Sequence, residues 1–481
     1  MIRASSAPGI ALGRMGAGAT LEEEGMKARI GRAATGLRAQ VIALAMTFGT
    51  ALGVALGAAP GVALVAASAG ASSAQAAEAQ DPPGAPIQLA LIEGMSGPFA
   101  DAGAAVERSL RFGVERVNAR GGVTLRDGRH PLELVVLDSK GSAATALIQL
   151  HAAADRHIGF VLQGNSSAVA AALVTAVERQ NAREPDNRQV FLNYSADDPA
   201  LTNANCSFWH FRFDAHAGMR MDALADVIAA DRSIRRVYLL NQDYSFGHDV
   251  STLARTALTR RRPDIAIVGD EFHPIGRVKD FTPYIAKIRA SGADAVVTGN
   301  WGDDLTLLVK AAREQGLDAK FYTFYGNSLG APAALGDAGV KRVIAVADWH
   351  PNAGGSASDA WYAAFRARYP APRDDYPLLR VEMLVEMLAQ AMTQAGTADP
   401  TTVAKVLEGL RFMGDESGFH PMWMRADDHQ VIQPLYVMQM DKAGTPGVRY
   451  DNEGSGYGFR TVRELAPQQT VPPTTCHMDR P

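Results

Sequence analysis

The residues Ile87 to Gly122, IQLALIEGMSGPFADAGAAVERSLRFGVERVNARGG, decide the fold because they contain a strand, a turn and a helix in succession. The apolar run Ile87–Ile92 is typical of a buried strand. From Ala104 onward, apolar residues recur every three or four positions until a glycine pair, which predicts an amphipathic helix. The turn Met95–Pro98 lets the backbone come close to a ligand. Small ligands bind beyond the carboxyl ends of strands in open α/β sheets, so Ser96 is a candidate binding residue, although a plain tight connection explains the same turn.

The first 77 residues differ in composition from the rest of the chain. Four basic residues between positions 27 and 38 precede an uncharged run rich in alanine and glycine, which ends in a small-x-small site. This order is typical of a secretory signal peptide, and we expect cleavage near Ala76 or Ala77 and a periplasmic location. An uncleaved anchor is the alternative, but so many Ala and Gly residues make a weakly apolar membrane span. Met26 begins a more conventional signal than Met1 does, so the true start codon stays open.

Composition and charge limit the class of protein. The 481 residues fit two to three domains, and 47% hydrophobic with 20% charged residues indicates a soluble protein with a real core. The formal net charge of −4 gives no reason to expect a nucleic-acid partner. Both cysteines, Cys206 and Cys476, fall in the exported part, where a pair is more often bridged than free. We expect a disulfide that ties the Pro-rich C-terminal tail to the body of the protein.

A first series of units continues after the opening stretch. Strands are predicted at Leu132–Asp138, Ile158–Leu162 and Val190–Asn193, with helices at Ala143–Arg156 and Ala168–Arg179. The second of these strands breaks at Asn165, Ser166 and Ser167. Either serine can cap the helix that follows and leave backbone N–H groups free at its positive end, a site suited to a carboxylate. A plain N-cap is the commoner use of such serines.

A second series of units begins after Arg212. Its strands end in loops that carry aromatic residues, namely Tyr244, Phe246, Trp301 and Tyr325. An aromatic side chain in a strand-to-helix loop is exposed unless it faces a partner or a ligand, although packing under neighbouring loops is the plainer explanation. Strands that alternate with helices of ten to fifteen residues form parallel sheets. The two series therefore predict an α/β protein with two Rossmann-like lobes.

These residues resemble the type I periplasmic solute-binding proteins of ABC importers, specifically the branched-chain (Leu/Ile/Val) amino-acid-binding group. The resemblance covers Ile87 to Met440 and rests on the motifs MSGPFADAG, VNARGG, GNSSA, SADDPALT, DYSFG and KDFTPYIAKIRASGADAVVTGNWGDDLTLLVKAAREQGL. It implies two lobes joined by a three-crossover hinge that close on a small solute. We expect lobe 1 at residues 86–211 plus 349–425, lobe 2 at 212–348 plus 426–465, and a tail at 466–481. The crossings are expected near Arg212, at Ala345–His350 and at Phe419–Pro434.

The resemblance also implies roles for individual residues. The turn Asn165, Ser166 and Ser167 corresponds to the position that holds a solute carboxylate, and Ser195, Ala196 and Asp197 correspond to groups that hold both polar ends. Phe246 and Trp301 stand where second-lobe aromatic residues cover the apolar part of the solute. Two positions depart from the pattern. Tyr325 replaces an acidic residue that binds the ligand ammonium, and Ala102 replaces an aromatic residue. If Asp197 supplies the missing charge, the expected solute is a branched-chain or other amino acid; if it does not, the expected solute is an acid with an aromatic or aliphatic body.

Other functions are weighed against this one. Gly326 to Gly330 matches the G-x-S-x-G elbow of serine hydrolases, with Ser328 as nucleophile, His350, His420 or His429 as the base and Asp337 or Asp348 to orient it. The Gly and Pro that follow the serine suit a loop better than the helix that such an elbow needs. No sequence motif indicates a metal site, a cofactor or a phosphate-binding loop. The expected partners are therefore a small solute and the permease and ATPase subunits of an importer, with the protein itself a monomer. The alternative function is that the protein senses a ligand and acts as the partner of a membrane receptor.

Overall fold

The structure, a computed structural model, describes residues 84–413 and 421–481. The predicted signal peptide lies outside these residues, as do Phe419 and His420. No helix within the described ranges is long and apolar enough to cross a membrane. The strands are β1 Ile87–Glu93, β2 Val123–Leu125, β3 Gly128–His130, β4 Leu132–Asp138, β5 Phe160–Gln163, β6 Val190–Asn193, β7 His210–Arg212, β8 Arg236–Gln242, β9 Ala266–His273, β10 Ala295–Thr298, β11 Lys320–Thr323, β12 Val343–Ala347, β13 Arg411–Phe412, β14 Met422–Met424, β15 Val431–Ile432, β16 Leu435–Lys442 and β17 Tyr457–Leu465. The helices are α1 Ala100–Ala119, α2 Ala143–Asp155, α3 Ser167–Arg183, α4 Ala217–Ala230, α5 Ser245–Arg261, α6 Thr282–Ser291, α7 Gly302–Glu314, α8 Ala331–Leu335, α9 Ser356–Arg368, α10 Leu379–Ala395 and α11 Pro400–Leu407.

The first series of units forms a five-stranded sheet in the order β4-β1-β5-β6-β7, and every neighbouring pair is parallel. Leu89, at its centre, pairs with Leu134 on one side and Phe160 on the other and is fully buried. The opening strand–turn–helix unit is present as predicted. Its helix begins at Ala100, four residues before the periodic run, because a 3-10 turn at Gly97–Phe99 leads directly into it. The carboxyl ends of these strands therefore meet at one edge, where ligand-binding turns were expected.

The second series forms a seven-stranded sheet in the order β17-β16-β12-β11-β10-β8-β9. The pairs from β12 to β9 are parallel, whereas β16 pairs antiparallel with both β12 and β17. This mixed edge differs from the wholly parallel sheet that the alternation predicts. Residues 443–456, which join β16 to β17, contain no helix, whereas the crossover to a parallel neighbour usually contains one, so the chain turns back and pairs antiparallel. The α/β fold with two sheet-centred lobes is otherwise as expected.

Three segments carry the chain between the two sheets. The first follows β7, the second follows β12, and the third, which follows β14 and includes β15, leads into β16. In the third segment Val431 packs into the core of the five-stranded sheet, and the next residue, Ile432, packs into the core of the seven-stranded sheet. Residues 213–216, 348–355 and 425–434 are called the crossings below. A hinge between the lobes has to be made of these segments, because they carry the chain from one sheet to the other.

Cys206 and Cys476 form the predicted disulfide, with a Cα–Cα distance of 5.8 Å. Cys206 follows β6 in the loop before β7, and Cys476 lies in the C-terminal tail. The tail has no regular structure beyond a 3-10 turn at Pro467–Gln469, so the disulfide and scattered hydrogen bonds hold it in place.

Candidate functional site

The buried carboxylate of Glu93 ties together three strand ends of the five-stranded sheet. It accepts hydrogen bonds from the Tyr194 hydroxyl, from the Gly94 N–H at 2.7 Å and from the Asn165 N–H at 3.2 Å. Burial raises the pKa of Glu93, and these hydrogen bonds oppose that rise. Because the turns after β1, β5 and β6 share this one group, they are held beside one another at the carboxyl edge of the sheet.

The turn after β5 presents the amino end of α3. The Ser166 side chain accepts a hydrogen bond from the Val169 N–H at 3.4 Å, and its φ of +88° lies in a region that residues other than glycine rarely adopt. The Ser167 hydroxyl oxygen accepts from the Asp198 N–H at 3.3 Å, which joins this turn to the next one. The side-chain nitrogen of Asn165, Nδ2, is buried and has no hydrogen-bond partner among the described residues. The turn thus offers a free donor at a positive helix end, a combination that favours an anionic ligand group.

The turn after β6 is held by hydrogen bonds between the Asn193 side chain and the backbone of the turn. The Asn193 side-chain oxygen accepts from the N–H groups of Ser195 at 3.1 Å and Ala196 at 2.8 Å. The Ala196 carbonyl accepts from Asn193 at 3.0 Å and from Arg212 at 3.3 Å. Both polar groups of Ala196 are therefore already bonded within the protein. Ser195 and Asp197 carry the side chains through which this turn can reach a solute.

Asp197 is a nearly buried carboxylate without a salt-bridge partner among the described residues. Its side chain is 7% exposed, and its Oδ2 atom accepts a hydrogen bond from the Tyr325 hydroxyl at 3.1 Å. Burial is the main reason that its pKa rises to about 6; the charge of Arg220 and the Tyr325 hydrogen bond oppose the rise, and the charge of Asp214 adds to it. A negative charge at this position lacks a neutralising neighbour at hydrogen-bond distance, which makes it a candidate partner for a cation.

Four charged residues at the crossings neutralise one another beside Asp197. One guanidinium nitrogen of Arg220, Nη2, donates to both carboxylate oxygens of Asp214, at 2.7 and 2.8 Å. Arg380, the second residue of α10, contacts Asp214 at 3.1 Å and Asp348 at 3.1 Å. Arg380 also donates to the Tyr194 carbonyl at 2.8 Å and to the Ser195 hydroxyl at 3.1 Å. Asp214 and Asp348 stand on the first and second crossings, so this ionic cluster sits where the lobes hinge.

A cavity of about 70 Å³ opens between the two sheets at this cluster. It takes walls from both lobes and from the crossings, and its polar lining includes Ser195, Asp197, Asp214, Asp348, Arg220, Arg380 and Tyr325. Both arginines are paired with aspartates, and Asp197 carries the one negative charge in this set that lacks a salt-bridge partner. The cavity is therefore electrostatically prepared for one positive group.

The four predicted aromatic residues come together at the edge of the seven-stranded sheet. The Phe246 ring lies 5.8 Å from the Tyr325 ring and 6.0 Å from the Tyr244 ring. The Trp301 indole nitrogen donates to the Tyr244 hydroxyl at 3.0 Å, and Trp301 is 38% exposed. Of the four, Tyr325 lines the cavity directly, and the others extend from it as one apolar surface. Such a surface suits the hydrocarbon part of a solute.

Ser96 lies apart from this group. Its hydroxyl donates to Asp138 Oδ2 at 2.6 Å, on the neighbouring strand end, and the Met95 N–H donates to the other oxygen of the same carboxylate at 3.0 Å. The structure thus places Ser96 in a local turn contact and not in the cavity lining. Of the remaining predicted residues, Ser195, Asp197 and Tyr325 line the cavity. The turn Asn165–Ser167 is not part of the lining and is joined to it through the hydrogen bond between Ser167 and the Asp198 N–H, and Tyr244, Phe246 and Trp301 extend outward from Tyr325.

The geometry around Ser328 differs from that of a hydrolase elbow. Ser328 lines the cavity, but its hydroxyl donates to the Tyr325 carbonyl at 2.8 Å, and the next helix begins three residues later. His350 bonds to the Thr461 hydroxyl at 2.9 Å, and Asp348 pairs with Arg380. No cluster of three or more metal-ligating side chains occurs among the residues that the structure describes.

Sequence reasoning missed the charged residues that frame the cavity, namely Glu93, Asp214, Arg220, Asp348 and Arg380. Arg380 reaches Ser195 across 185 positions of chain, a contact that no local pattern reveals. One signal was present: Arg380 and Glu382 interrupt an otherwise apolar start of α10, and buried charges within an apolar helix need partners.

The comparisons with known proteins agree with this architecture. A family model described as periplasmic binding protein matches residues 86–445. The chain is 31% identical over 409 residues to the Leu/Ile/Val-binding protein homolog 4 of Brucella melitensis, covering 82% of this chain and 93% of that protein. It is 25% identical over 336 residues to the leucine-, isoleucine-, valine-, threonine-, and alanine-binding protein of Pseudomonas aeruginosa, covering 68% and 83%. A solved structure of the protein of that name from Brucella ovis, in its closed conformation, matches with 28% identity and a TM-score of 0.74, covering 82% of this chain and 100% of that one.

Proposed function

The chain belongs to the periplasmic binding proteins that serve as solute-binding components of branched-chain amino-acid ABC importers, and from this premise we propose that its solute is a small apolar amino acid. In this proposal the solute's ammonium group pairs with Asp197. Its carboxylate binds at the turn Asn165–Ser167, and its side chain lies against the aromatic surface that begins at Tyr325.

The unpaired charge of Asp197 is the observation that supports an ammonium-bearing solute. The cluster of Arg220, Arg380, Asp214 and Asp348 is internally balanced, so it does not offer a free cation to a carboxylate in the cavity. A solute with only a carboxylate would leave Asp197 unpaired, whereas an ammonium group would form a charge-assisted hydrogen bond with it. The Tyr325 hydroxyl occupies one oxygen of Asp197, and the other oxygen has no recorded partner among the described residues.

Three compounds of matched shape separate the possible solutes. Leucine, 4-methylpentanoate and isopentylamine share one hydrocarbon body but carry both polar groups, the carboxylate alone or the ammonium alone. Isothermal titration calorimetry with the purified protein should give measurable binding for leucine and a much weaker signal for each of the other two. Binding of 4-methylpentanoate or benzoate as tight as that of leucine would leave the solute-binding function standing but overturn the assignment of Asp197 to an ammonium group.

Binding should depend on pH because Asp197 must be ionised to hold an ammonium group. Its pKa of about 6 in the solute-free protein means that the carboxylate is charged at neutral pH and protonated in mild acid. Pairing with a cation lowers that pKa, so binding releases a proton below about pH 6. The affinity for leucine should be constant from pH 7 to 8 and fall by up to about tenfold per unit below pH 6. Titrations at pH 5, 6, 7 and 8 in two buffers of different ionisation enthalpy measure both the affinity and the released proton.

Ser328 should be dispensable both for solute binding and for any chemistry. Ser328→Ala removes a hydroxyl that bonds to the Tyr325 carbonyl in a turn, so we expect an affinity within about twofold of the parent and no change in melting temperature beyond a few degrees. Neither protein should hydrolyse p-nitrophenyl acetate above the buffer rate. Ester hydrolysis that the substitution abolishes would instead support the hydrolase reading.

We further propose that the protein works as a periplasmic monomer, with cleavage of the leader near Ala76 or Ala77 and delivery of solute to a permease. The family supports export and importer partners. The lobes are proposed at residues 86–211 plus 349–425 and 212–348 plus 426–465. N-terminal sequencing of the exported protein tests the cleavage point, and solute uptake by cells lacking the gene separates import from sensing: uptake falls for an importer component and persists for a sensor.

A further inference from the structure

The C-terminal tail passes from one lobe to the other. It leaves the seven-stranded sheet at Leu465, the end of β17, and its last residues lie on the opposite lobe. Cys476 bonds to Cys206 in the loop after β6, and Met478 packs against the core of the five-stranded sheet. Residues 466–481, called the strap below, therefore connect the lobes in addition to the three crossings.

The strap lies along the third crossing and is bonded to it on both sides of the lobe boundary. The Thr470 hydroxyl donates to the Gln433 carbonyl at 2.8 Å, beside the seven-stranded sheet. Two residues further on, the Pro472 carbonyl accepts from Arg425 at 2.5 Å, beside the other lobe. The chain passes from one core to the other between Val431 and Ile432, so these two bonds bracket the point where that crossing changes lobe.

The end of the strap is also linked to the first crossing. Arg480 pairs with Glu408 at 2.7 Å, and Glu408 in turn bonds to His429 at 2.9 Å. The His429 carbonyl accepts from the Arg212 N–H at 2.9 Å, where the chain leaves β7. A twist of either segment would disturb contacts made by the strap.

We propose that the strap is a fourth hinge element, which restrains opening of the cleft while the Cys206–Cys476 disulfide is intact. Opening requires backbone rotation in the crossings, and the strap adds bonds that must shift or break with them. Such a restraint removes conformations from the open ensemble and leaves the closed form largely unchanged. The population then shifts toward closed, solute-competent conformations, and the apparent affinity rises.

The disulfide acts together with the bonds along the strap. Ten residues separate Leu465 from Cys476, and a slack chain of that length could span roughly 33–36 Å. The covalent link alone would therefore allow wide opening. The hydrogen bonds at Thr470, Pro472 and Thr475 hold the strap against its track, and the disulfide keeps its end from fraying away from them.

The double variant Cys206→Ala/Cys476→Ala tests the proposal without solute. Hydrogen–deuterium exchange of the solute-free protein should become about threefold or more faster in residues 425–434 and 213–216, with β5 and β11 unchanged. Small-angle scattering should show a larger and broader solute-free particle. The affinity for solute should fall by about three- to tenfold. Reduction of the parent protein with dithiothreitol should reproduce these changes, since both cysteines are partly exposed.

A matched pair of threonine variants separates the strap from general stability. Thr470→Val removes the hydroxyl bonded to Gln433, whereas Thr445→Val removes a similar bond to the Lys442 carbonyl in the β16–β17 loop. Thr470→Val should speed hydrogen–deuterium exchange at the third crossing, and Thr445→Val should not. The proposal would be overturned if the cysteine variant had a lower melting temperature but unchanged hydrogen–deuterium exchange at both crossings and unchanged scattering. The strap would then only stabilise one lobe. These readouts need no bound solute, so they stand apart from the identity of the solute.

Discussion

Asp197→Asn is expected to weaken binding of leucine by about ten- to a hundred-fold, the largest effect on affinity of any single change in the cavity. A hydrogen bond to a charged group contributes about 1.5–3 kcal/mol, and the amide keeps the size of the side chain while losing its charge. Calorimetric titration at pH 7.5 measures the change. The variant should also lose the fall in affinity below pH 6, because the titrating group is gone.

Two companion variants show whether the loss comes from the charge itself. Asp249→Asn removes an exposed carboxylate of α5 that lies near Asp198, outside the cavity lining, and should change the affinity by less than about twofold. Tyr325→Phe keeps the ring and the Asp197 charge but removes the hydroxyl, so the pKa of Asp197 should rise and the pH midpoint of binding should move upward. An Asp197→Asn protein that binds leucine as tightly as the parent would show that another group holds the ammonium.

Arg380→Met is expected to destabilise the protein by about 3–5 kcal/mol, because it leaves the buried Asp348 without a salt-bridge partner and removes one of the two cations paired with Asp214. Arg380 contacts both Asp214 and Asp348, and it also bonds to the Tyr194 carbonyl at the end of β6. Burial has already raised the pKa of Asp214, so losing one of its two cations would raise it further. Urea unfolding followed by circular dichroism should show that the variant unfolds at a lower urea concentration than the parent protein.

A surface arginine provides the comparison for this variant. Arg120 pairs with Glu386 at the surface of α1, where it is half exposed, and Arg120→Met should cost less than about 1 kcal/mol. The double variant Arg380→Met/Asp348→Asn should regain part of the lost stability, because the asparagine removes the buried charge that Arg380→Met leaves unpaired at position 348. Equal destabilisation by the Arg380 and Arg120 substitutions would mean that the cluster at the crossings is solvated and contributes little.

The position of this cluster also bears on how the lobes move. Asp214 and Asp348 belong to two crossings, and Arg380 comes from α10, so a rotation of the lobes changes the distances within the cluster. In the proposed binding mode the solute pairs with Asp197, so it would act on the same hinge as the ionic cluster. The ionic cluster stabilises one arrangement of the crossings, and the solute shifts the balance among the arrangements that remain.

Local patterns in the sequence were enough to predict most of the elements. The strands Leu132–Asp138 and Val190–Asn193 have the predicted bounds, because short apolar runs between breaks leave few other registers. The hairpin β2–β3 and the antiparallel pair β16–β17 were missed or misassigned, since hairpin pairing depends on which chain segments meet and not on apolar content alone. Ser96 was predicted for the site from its turn, but its hydroxyl bonds locally to Asp138.

By itself the sequence determined the α/β class, the two lobes and the disulfide partners, because periodicity, breaks and cysteine count are visible along the chain, and the resemblance of its motifs to known proteins indicated the family. Only the tertiary structure decided which charges meet. Arg380 and Ser195 are 185 positions apart in the chain, and Tyr325 and Asp197 are 128 positions apart. No local pattern in the sequence shows that residues so far apart are in contact. The unpaired charge of Asp197 emerges once Arg220 and Arg380 are seen to be bound elsewhere, since the electrostatics of a cavity depends on the groups that folding brings together.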